Sequence, residues 1–368
     1  MKLAVVLVHY HTPWLVPPAV AALRDDLETA GIEHELLLVD NGSEAGDREV
    51  FEALGLTVLE PGTNRGYAAG FNRGVAASDA EVLSVMNPDV EVRRGCFPRL
   101  LEALEAGAAA AGPAFAWDSR HRVLLPPAEP RTRTWEAATA LASRGDGWAA
   151  MARRRWRRHA RRHWQADAPI PSYSLSGALL TLRRDAWERV GPFDDGYRLY
   201  FEETDWLERL RRARLGSVYV PAAHARHRYN RSAVSEPRAA RWFAESSERF
   251  RRRFYGAWFS SLLEKMVRPP QPQPPRVVVP EELMAADRPP VLELAPGATW
   301  IELSPIATGF PAAAERLDRQ AGQEGGRWCV PEEIWGDLAP GRYWVRSVGP
   351  RGQELGLASF ARPAFPDR

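Results

Sequence analysis

Over residues 1–90, short apolar segments alternate with amphipathic segments. The apolar runs have the length of strands, and the segments between them have the length of helices. This alternation predicts right-handed β-α-β crossovers, and so an α/β fold with a mainly parallel sheet flanked by helices. The four apolar runs are Leu3–Val8, Glu35–Val39, Leu56–Glu60 and Glu81–Met86.

Short polar motifs follow these predicted strands. In open α/β sheets, ligands bind at the carboxyl ends of the strands. The sequence therefore predicts one ligand site assembled from several strand ends. The motifs are His9-Tyr10-His11, Asp40-Asn41, Asn64-Arg65-Gly66 and Asn87-Pro88-Asp89.

The bulk composition limits the classes of protein to which the chain can belong. Its 368 residues suffice for two domains, and 45% hydrophobic with 26% charged residues is a globular composition. A formal net charge of +2 gives no indication of nucleic-acid binding. Two cysteines provide neither a disulfide framework nor a metal cluster. Because the sequence contains no long apolar run and no signal-peptide pattern, we expect a cytoplasmic protein.

The pattern changes after residue 267. Residues 268–290 begin with a proline-rich run and predict a semi-rigid extended linker. Short strand-like segments separated by Pro-Gly turns follow in residues 291–368, and they predict a small antiparallel β domain of sandwich type. We therefore expect an α/β domain in residues 1–267, the linker, and this C-terminal all-β domain.

Two strand-end aspartates have the chemistry of a binding site. Asp89 can hold a divalent cation that bridges two phosphates, although Asn-Pro-Asp is also a common turn sequence. Asp40 can accept hydrogen bonds from a nucleobase or a ribose, or it can form an Asx turn with its own backbone.

A predicted helix after Asn64 is punctuated by glycines that fall near one face. These glycines, Gly66, Gly70 and Gly74, allow a sheet or a ligand to approach closely. Arg65 and Arg73 can face phosphates or remain solvated.

Acidic residues open a later predicted helix, where they also complement the helix dipole. One of Glu202, Glu203 and Asp205 could deprotonate an acceptor hydroxyl, but their spacing does not choose among them. His224 and His227 lie three residues apart and could ligate a metal together, or they could be structural.

These motifs, in this order, resemble glycosyltransferase family 2, which has the GT-A fold, and most of all its rhamnosyltransferase-like branch. The resemblance extends over about residues 1–260. The segments that carry it are Val6–His11, Leu38–Ser43, Asn64–Gly74, Asn87–Asp89, Leu175–Ala178, Gly191–Asp194, Phe201–Trp206 and His227.

The resemblance implies roles for the matching residues. Asp40 matches an aspartate that binds base or ribose, and Asp89 matches the last acid of an Asp-x-Asp metal motif. His227 matches a histidine near the metal or diphosphate. Glu203 stands where the family has its aspartate base, with Asp205 as the second candidate. The other residues expected to contact the donor nucleotide are His9, Tyr10, His11, Asn41, Asn64, Gly66, Tyr67, Asn72, Arg73 and Asn87.

The reaction implied by the resemblance is transfer of rhamnose or a similar sugar, with inversion, from a UDP- or dTDP-linked donor. Mn²⁺ or Mg²⁺ would be the cofactor, and a glycan or lipid-linked molecule of cell-surface polysaccharide synthesis would be the acceptor. A homo-oligomer is left open. A non-catalytic nucleotide-sugar-binding or assembly protein is the alternative, because Asn87 and Glu203 depart from the family pattern.

Residues 148–164 combine many arginines with tryptophans at spacings of eight. Arginine around tryptophan suits an anionic membrane surface or a lipid-diphosphate acceptor, and it suits a solvated helix equally well. The segment therefore predicts peripheral contact with the inner face of a membrane as one of two interpretations.

Overall fold

The computed structural model describes residues 2–42, 45–60, 64–228, 238–267, 288–318 and 326–363. Most of the predicted linker, residues 268–287, lies outside these ranges. The strands are β1 (Leu3–His9), β2 (His34–Asp40), β3 (Thr57–Leu59), β4 (Val82–Met86), β5 (Val90–Val92), β6 (Ala110–Ala116), β7 (Val123–Leu124), β8 (Ile170–Pro171), β9 (Leu179–Arg183), β10 (Ser217–His227), β11 (Val291–Glu293), β12 (Trp300–Ser304), β13 (Ala313–Arg316), β14 (Arg327–Cys329), β15 (Gly341–Val348) and β16 (Glu354–Arg362).

Helices alternate with these strands, most densely in the first half of the chain. They are α1 (Val16–Thr29), α2 (Ala45–Ala53), α3 (Tyr67–Ala76), α4 (Cys96–Glu105), α5 (Arg133–Ala142), α6 (Asp146–Trp164), α7 (Arg184–Val190), α8 (Glu202–Arg212), α9 (Ala239–Tyr255), α10 (Ala257–Met266) and α11 (Glu332–Asp337).

The chain folds into two compact units. The first unit contains residues 1–114, 127–131 and 165–261, and the second contains residues 115–126, 132–164 and 262–368. The second unit therefore takes in two segments from the middle of the sequence as well as the C-terminal strands.

A mixed sheet forms the centre of the first unit, with the strand order β6-β9-β4-β1-β2-β3. Strands β4, β1, β2 and β3 are parallel to one another, and β9 is antiparallel to both β4 and β6. All seven residues of β1 are buried, as expected for a strand covered on both faces. The mainly parallel sheet with flanking helices agrees with the fold class predicted from the sequence.

The glycine face of α3 packs directly on this sheet. A Cβ atom on Gly70 would lie 2.7 Å from Val8 Cγ1, and one on Gly74 would lie 2.4 Å from Val6 Cγ1. The glycines predicted from the sequence therefore allow a close helix–sheet approach.

Replacing Gly74 with alanine is expected to lower the free energy of unfolding by about 1–3 kcal/mol, because Val6 in a buried strand must move. Gly147→Ala is the matched control, since a Cβ at that helical position would meet no atom within 4 Å. The control is expected to leave stability unchanged or raise it by up to about 1 kcal/mol. Urea unfolding measures both; equal effects of the two substitutions would contradict the close packing of α3.

The second unit contains an antiparallel sheet with the order β7-β13-β12-β15-β16, and a separate β11–β14 pair. The short C-terminal strands predicted from the sequence are confirmed as β11, β12, β14, β15 and β16. Its core contains Trp300, Trp328 and Trp335, each less than 8% exposed. These three tryptophans therefore pack in the core of the second unit.

The arginine-rich segment forms α6. Several arginines on one side of this helix bond to residues of the second unit. Arg157 is buried and donates to both oxygens of Glu302, at 2.5 and 2.8 Å. Arg153 pairs with Glu354, and Arg161 donates to the carbonyl of Pro350 at 2.8 Å. The exposed arginines of the helix are Arg154, Arg158 and Arg162. Membrane contact through α6 stays a prediction, and it now rests on those three.

Two predicted elements have different bounds in the structure. The amphipathic pattern of residues 238–266 predicts one long helix, but Gly256 has a φ of 90° and ends α9 before α10 begins. Residues 173–182 read as one strand in the sequence, whereas the strand in the structure begins only at Leu179. Over the residues that the structure describes, no helix combines the length and apolar character needed to span a membrane.

Candidate active site

The paired ends of β1 and β2 bring His9 beside Asp40. His9 Nδ1 lies 3.3 Å from Asp40 Oδ1, and the backbone N–H of Thr12 donates to His9 Nε2 at 2.9 Å. Since Nε2 accepts, Nδ1 carries the proton and donates to the carboxylate. The buried imidazole therefore holds the carboxylate of Asp40 at this edge, and contact of His9 and Asp40 with a nucleotide stays a prediction.

Tyr10 and His11 extend the same edge. Their rings lie 4.2 Å apart, and His11 is exposed with a φ of 51°. A Cβ on Gly42 would lie 3.9 Å from the ring of Tyr10. Aromatic faces beside Asp40 suit a planar nucleobase, because a base can stack while its N–H groups reach the carboxylate.

The loop before α3 is tied to Asn41. The amide of Asn41 donates to the carbonyl of Gly66 at 3.3 Å, and Asn64 Oδ1 accepts from the Gly66 N–H at 2.9 Å. Gly66 has a φ of 98°, and a Cβ there would lie 2.4 Å from the carbonyl oxygen of Arg198. Among the residues that the structure describes, buried Asn41 Oδ1 has no hydrogen-bond partner. It can accept a hydrogen bond from a ligand.

Three further residues of the glycine-punctuated segment have distinct environments. The phenol of Tyr67 donates to the carbonyl of Gly177 at 2.8 Å. Asn72 makes two hydrogen bonds to the backbone of Phe193, at 2.9 and 3.1 Å, and so holds the Gly191–Asp194 turn. Arg73 is exposed. Nucleotide contacts by Asn72 and Arg73 stay predictions. Asn72 also stabilises the turn through its bonds to Phe193.

Asp89 and His227 are neighbours because β5 pairs with β10 in a register that sets His227 opposite Val90. His227 Nε2 lies 3.3 Å from Asp89 Oδ1, and Asp89 is buried. Adjacent ligands of an octahedral cation, each ~2.1 Å from the metal, lie roughly 3 Å apart. The separation of Asp89 Oδ1 and His227 Nε2 therefore suits two adjacent ligands of one cation.

These two side chains can supply only two ligands of a cation's coordination shell. In the part of the chain that the structure describes, no group of three or more His, Cys, Asp or Glu side chains could hold a metal ion. Mg²⁺ in phosphate-transfer sites is commonly held by one or two protein groups together with substrate phosphates. Asn87, whose backbone N–H donates to the carbonyl of Ala178 at 2.8 Å, precedes the pair at the end of β4.

His224 is not part of this site. It lies three positions before His227 in β10, and residues three apart in a strand point to opposite faces. Burial lowers the pKa of His224, and the positive charges of Arg93 and Arg99 lower it further. The paired-histidine metal site considered from the sequence is therefore wrong.

Glu202 and Glu203 begin α8 and form a pair of acids at the site. Burial raises the pKa of Glu202 well above its ordinary value, and the negative charge of Glu203 raises it further. Burial also raises the pKa of Glu203, although hydrogen bonds from Thr204 oppose the shift. Among the described residues, Glu202 Oε2 has no hydrogen-bond partner. Raised carboxyl pKa values in a cleft are typical of general acids and bases.

Asp205 has a different environment from the two glutamates. It is fully buried, and its oxygens accept from Arg209 at 2.7 Å, Arg253 at 2.8 Å and the Tyr197 phenol at 3.1 Å. Both oxygens of this carboxylate are therefore engaged by donors of the protein. The choice between Glu203 and Asp205 as the base stays a prediction. The local spacing of the acidic residues in the sequence does not predict the hydrogen bonds of Asp205, since Arg253 lies 48 residues further along the chain.

The sequence motifs also converge around Tyr67. Burial raises the pKa of its phenol, and the charges of Glu202, Glu203 and Asp89 raise it further. The structure thus gathers the predicted base, its neighbouring acid and the predicted metal ligand around one tyrosine. Gly177 was not assigned a role from the sequence, yet a Cβ on it would lie 3.2 Å from Glu203 Cγ.

Comparisons with known proteins agree with these motifs. The family model described as Glycosyl transferase family 2 matches residues 4–166. The chain is 31% identical over 223 residues to N-acetylglucosaminyl-diphospho-decaprenol L-rhamnosyltransferase of Mycobacterium tuberculosis, which covers 55% of this chain and 69% of that protein. It is 38% identical over 78 residues to Rhamnosyltransferase WbbL of Escherichia coli, covering 20% of this chain and 29% of that protein.

Among solved structures, mannosyltransferase PcManGT from Pyrobaculum calidifontis, in complex with GDP-Man and Mn²⁺, matches with a TM-score of 0.44 and 12% identity. The match covers 72% of this chain and 73% of that one. The family model and the sequence relatives establish that the chain is a glycosyltransferase with a role in glycan synthesis. This chain belongs to glycosyltransferase family 2, with rhamnosyltransferases among its relatives.

Proposed function

We propose that the protein transfers rhamnose or a similar sugar from a nucleoside-diphosphate donor to an acceptor hydroxyl, with inversion at the anomeric carbon. The observation that carries the proposal is the convergence of Glu203, Glu202 and Asp89 on Tyr67, since it joins a base of raised pKa to an aspartate paired with a histidine. A base and a diphosphate site side by side are what such a transfer requires.

The nucleotide would occupy the edge formed by the ends of β1 and β2. Asp40, oriented by His9, would accept from the base or the ribose. Asn41 Oδ1, buried and without a partner among the described residues, would accept from a donor hydroxyl. The donor diphosphate would then extend toward Asp89.

Asp89 and His227 would hold a divalent cation, Mn²⁺ or Mg²⁺. When bound, the cation supplies positive charge against the diphosphate that leaves. The chain itself contributes a carboxylate and an imidazole whose nearest atoms are 3.3 Å apart. The turn Asn87–Val90, closed by a backbone hydrogen bond of 3.2 Å, fixes Asp89 at the end of β4.

Glu203 would remove the proton from the acceptor hydroxyl. The freed oxygen attacks the anomeric carbon while the bond from that carbon to the diphosphate oxygen breaks. A single displacement of this kind inverts the configuration. Burial helps Glu203, because a carboxylate whose pKa is raised accepts a proton more readily than an ordinary glutamate.

Two sequence relatives support the choice of substrates. Both are named as rhamnosyltransferases, and the acceptor in the name of the Mycobacterium tuberculosis protein is a sugar diphospho-decaprenol. We therefore propose a dTDP- or UDP-linked rhamnose-type donor and a lipid-diphosphate-linked acceptor. The cytoplasmic location and the homo-oligomer considered from the sequence stay predictions.

The test is a turnover assay with UDP- and dTDP-linked sugars, a lipid-diphosphate-linked N-acetylglucosamine acceptor and Mn²⁺ or Mg²⁺. Release of nucleoside diphosphate should accompany formation of a new glycosidic bond, and proton NMR should give the product an anomeric configuration opposite to that of the donor. Retained configuration would overturn the single displacement. Absence of turnover with every donor would overturn the assignment of the substrates.

A further inference from the structure

A group of arginine and aromatic side chains lies beside the proposed base and has no role in the reaction described above. We call it the arginine–aromatic patch. All its members belong to the first unit, and they come from the segment 127–131, the loop before α8, and the start of α9. The patch consists of Arg131, Arg198, Tyr200, Arg238, Trp242 and Phe243.

Two cations of the patch share one aromatic ring. The guanidinium carbons of Arg198 and Arg238 lie 5.0 and 4.9 Å from the centroid of the Trp242 ring, and both residues are exposed. Guanidinium groups are suited to phosphate oxygens because their donors form a planar fork. Two of them on one indole create a local positive charge that favours a ligand with more than one negative charge.

The third arginine connects the patch to the proposed base. The guanidinium carbon of Arg131 lies 5.1 Å from the ring centroid of Phe201 and 5.8 Å from that of Phe243. Its positive charge acts on Glu203, where it favours the ionised carboxylate. A ligand on the patch would therefore lie next to the group that accepts the acceptor's proton.

The patch also adjoins the loop assigned to the donor. The carbonyl of Arg198 accepts from the backbone N–H of Tyr67 at 3.2 Å, and it occupies the space that a side chain at Gly66 would need. The side chain of Arg198, in contrast, stacks on Trp242 of α9. The same residue thus borders both the donor loop and the patch.

An exposed aromatic surface accompanies these charges. Phe243 is 41% exposed, and its ring packs edge-on against Tyr200 at 5.6 Å and against buried Phe201 at 5.4 Å. An exposed phenylalanine supported by other rings gives an apolar contact directly beside cations. This combination matches a ligand with an anionic head and an apolar tail, and a nucleotide has no such tail.

We propose that the arginine–aromatic patch binds the lipid diphosphate of the acceptor. Arg198 and Arg238 would contact the diphosphate oxygens, and Phe243 would contact the first carbons of the isoprenoid chain. The inference rests on the proposed function, because it assigns the acceptor's subsite in that reaction. It further implies that the sugar on the diphosphate extends toward Glu203, which lies two positions after Phe201, the residue over whose ring Arg131 lies.

The test uses farnesyl diphosphate as a probe, because it carries a diphosphate and an isoprenoid tail without a sugar. Its binding is titrated by calorimetry on the full chain saturated with the nucleoside diphosphate and metal, so that the donor site is occupied. Inorganic diphosphate and farnesol are titrated in parallel. We expect the complete probe to bind more tightly than either part, and binding to weaken about tenfold in Arg198→Gln/Arg238→Gln and in Phe243→Ser.

Matched controls change similar side chains elsewhere. Arg316→Gln/Arg327→Gln alters two exposed arginines of the second unit, and Trp258→Ser alters a side chain that is 78% exposed. Both should leave probe affinity unchanged. The proposal is overturned if farnesyl diphosphate does not bind, if the patch variants bind it as wild type does, or if the controls lose as much affinity.

Failure of the proposed function has a different signature. If neither UDP nor dTDP binds, the donor assignment fails, and the comparison of farnesyl diphosphate binding between patch and control variants still decides the patch. If inorganic diphosphate alone binds as tightly as the probe, the patch is an anion site and the lipid assignment is wrong.

Discussion

Replacing Glu203 with glutamine is expected to lower kcat by roughly 10²- to 10⁴-fold, the usual contribution of a general base, without weakening nucleotide binding. Glutamine keeps the shape of the side chain and removes its capacity to accept a proton. Steady-state kinetics with the lipid-diphosphate acceptor, together with calorimetry of the nucleotide, measure the two quantities separately.

The glutamine variant should also fold at least as well as the wild type. Folding raises the pKa of Glu203, so the folded chain holds a proton there at pH values at which the unfolded chain has lost it. The stability that this difference contributes is greatest below the unfolded pKa, and it is lost as pH rises through the folded pKa. Removing the charge therefore costs no stability at neutral pH.

The wild-type pH profile gives a second readout of Glu203. Because its pKa is raised and the base must be ionised, activity should fall on acidification at a pH above the ordinary glutamate range. Asp205→Asn is the control, and it should lower stability because Arg209 and Arg253 lose a charged partner. A fully active Glu203→Gln variant would exclude Glu203 as the base. Normal stability combined with inactivity in Asp205→Asn would make Asp205 the better candidate.

Arg157→Ala in α6 is expected to lower the free energy of unfolding by about 3–5 kcal/mol, because it leaves a buried carboxylate without its main partner. The side chains of Arg157 and Glu302 are only 3% and 2% exposed, and two hydrogen bonds join them. Urea unfolding followed by tryptophan fluorescence measures the loss, since Trp156, Trp164 and Trp300 lie in the second unit.

The double variant Arg157→Met/Glu302→Leu should recover most of that stability, because apolar side chains of similar size remove both buried charges. Arg158→Ala is the control, since Arg158 is exposed on the same helix. A loss below about 1 kcal/mol for Arg157→Ala, or an equal loss for Arg158→Ala, would contradict the account of α6 as a helix held by a buried ion pair.

The strand-end motifs could be predicted from the sequence because each depends on local chemistry. An apolar run followed by Asp40 or Asp89 predicts both the strand and the edge where its carboxylate lies. The pairing of Asp89 with His227 could be expected only from the family resemblance, since 138 positions of chain separate them and antiparallel pairing of β5 with β10 joins them.

The arginines of α6 show the limit of sequence reasoning most clearly. Composition treats Arg157 and Arg158 alike, but the first is buried against Glu302 and the second is exposed. The partners lie 145 residues apart, and local periodicity carries no information about such a pairing. The environments of Glu203 and Asp205 also differ because the fold brings arginines to them from distant parts of the sequence, Arg131 to the first and Arg253 to the second.

The donor site is tested by calorimetric titration of UDP and dTDP, with and without Mn²⁺ or Mg²⁺, into wild type, Asp89→Ala and His227→Ala. We expect at least one nucleotide to bind and the metal to strengthen its binding. Both variants should lose this metal dependence while keeping the wild-type circular dichroism spectrum. Failure of both nucleotides to bind, or metal-independent binding that neither variant weakens, would contradict a donor site built on Asp89 and His227.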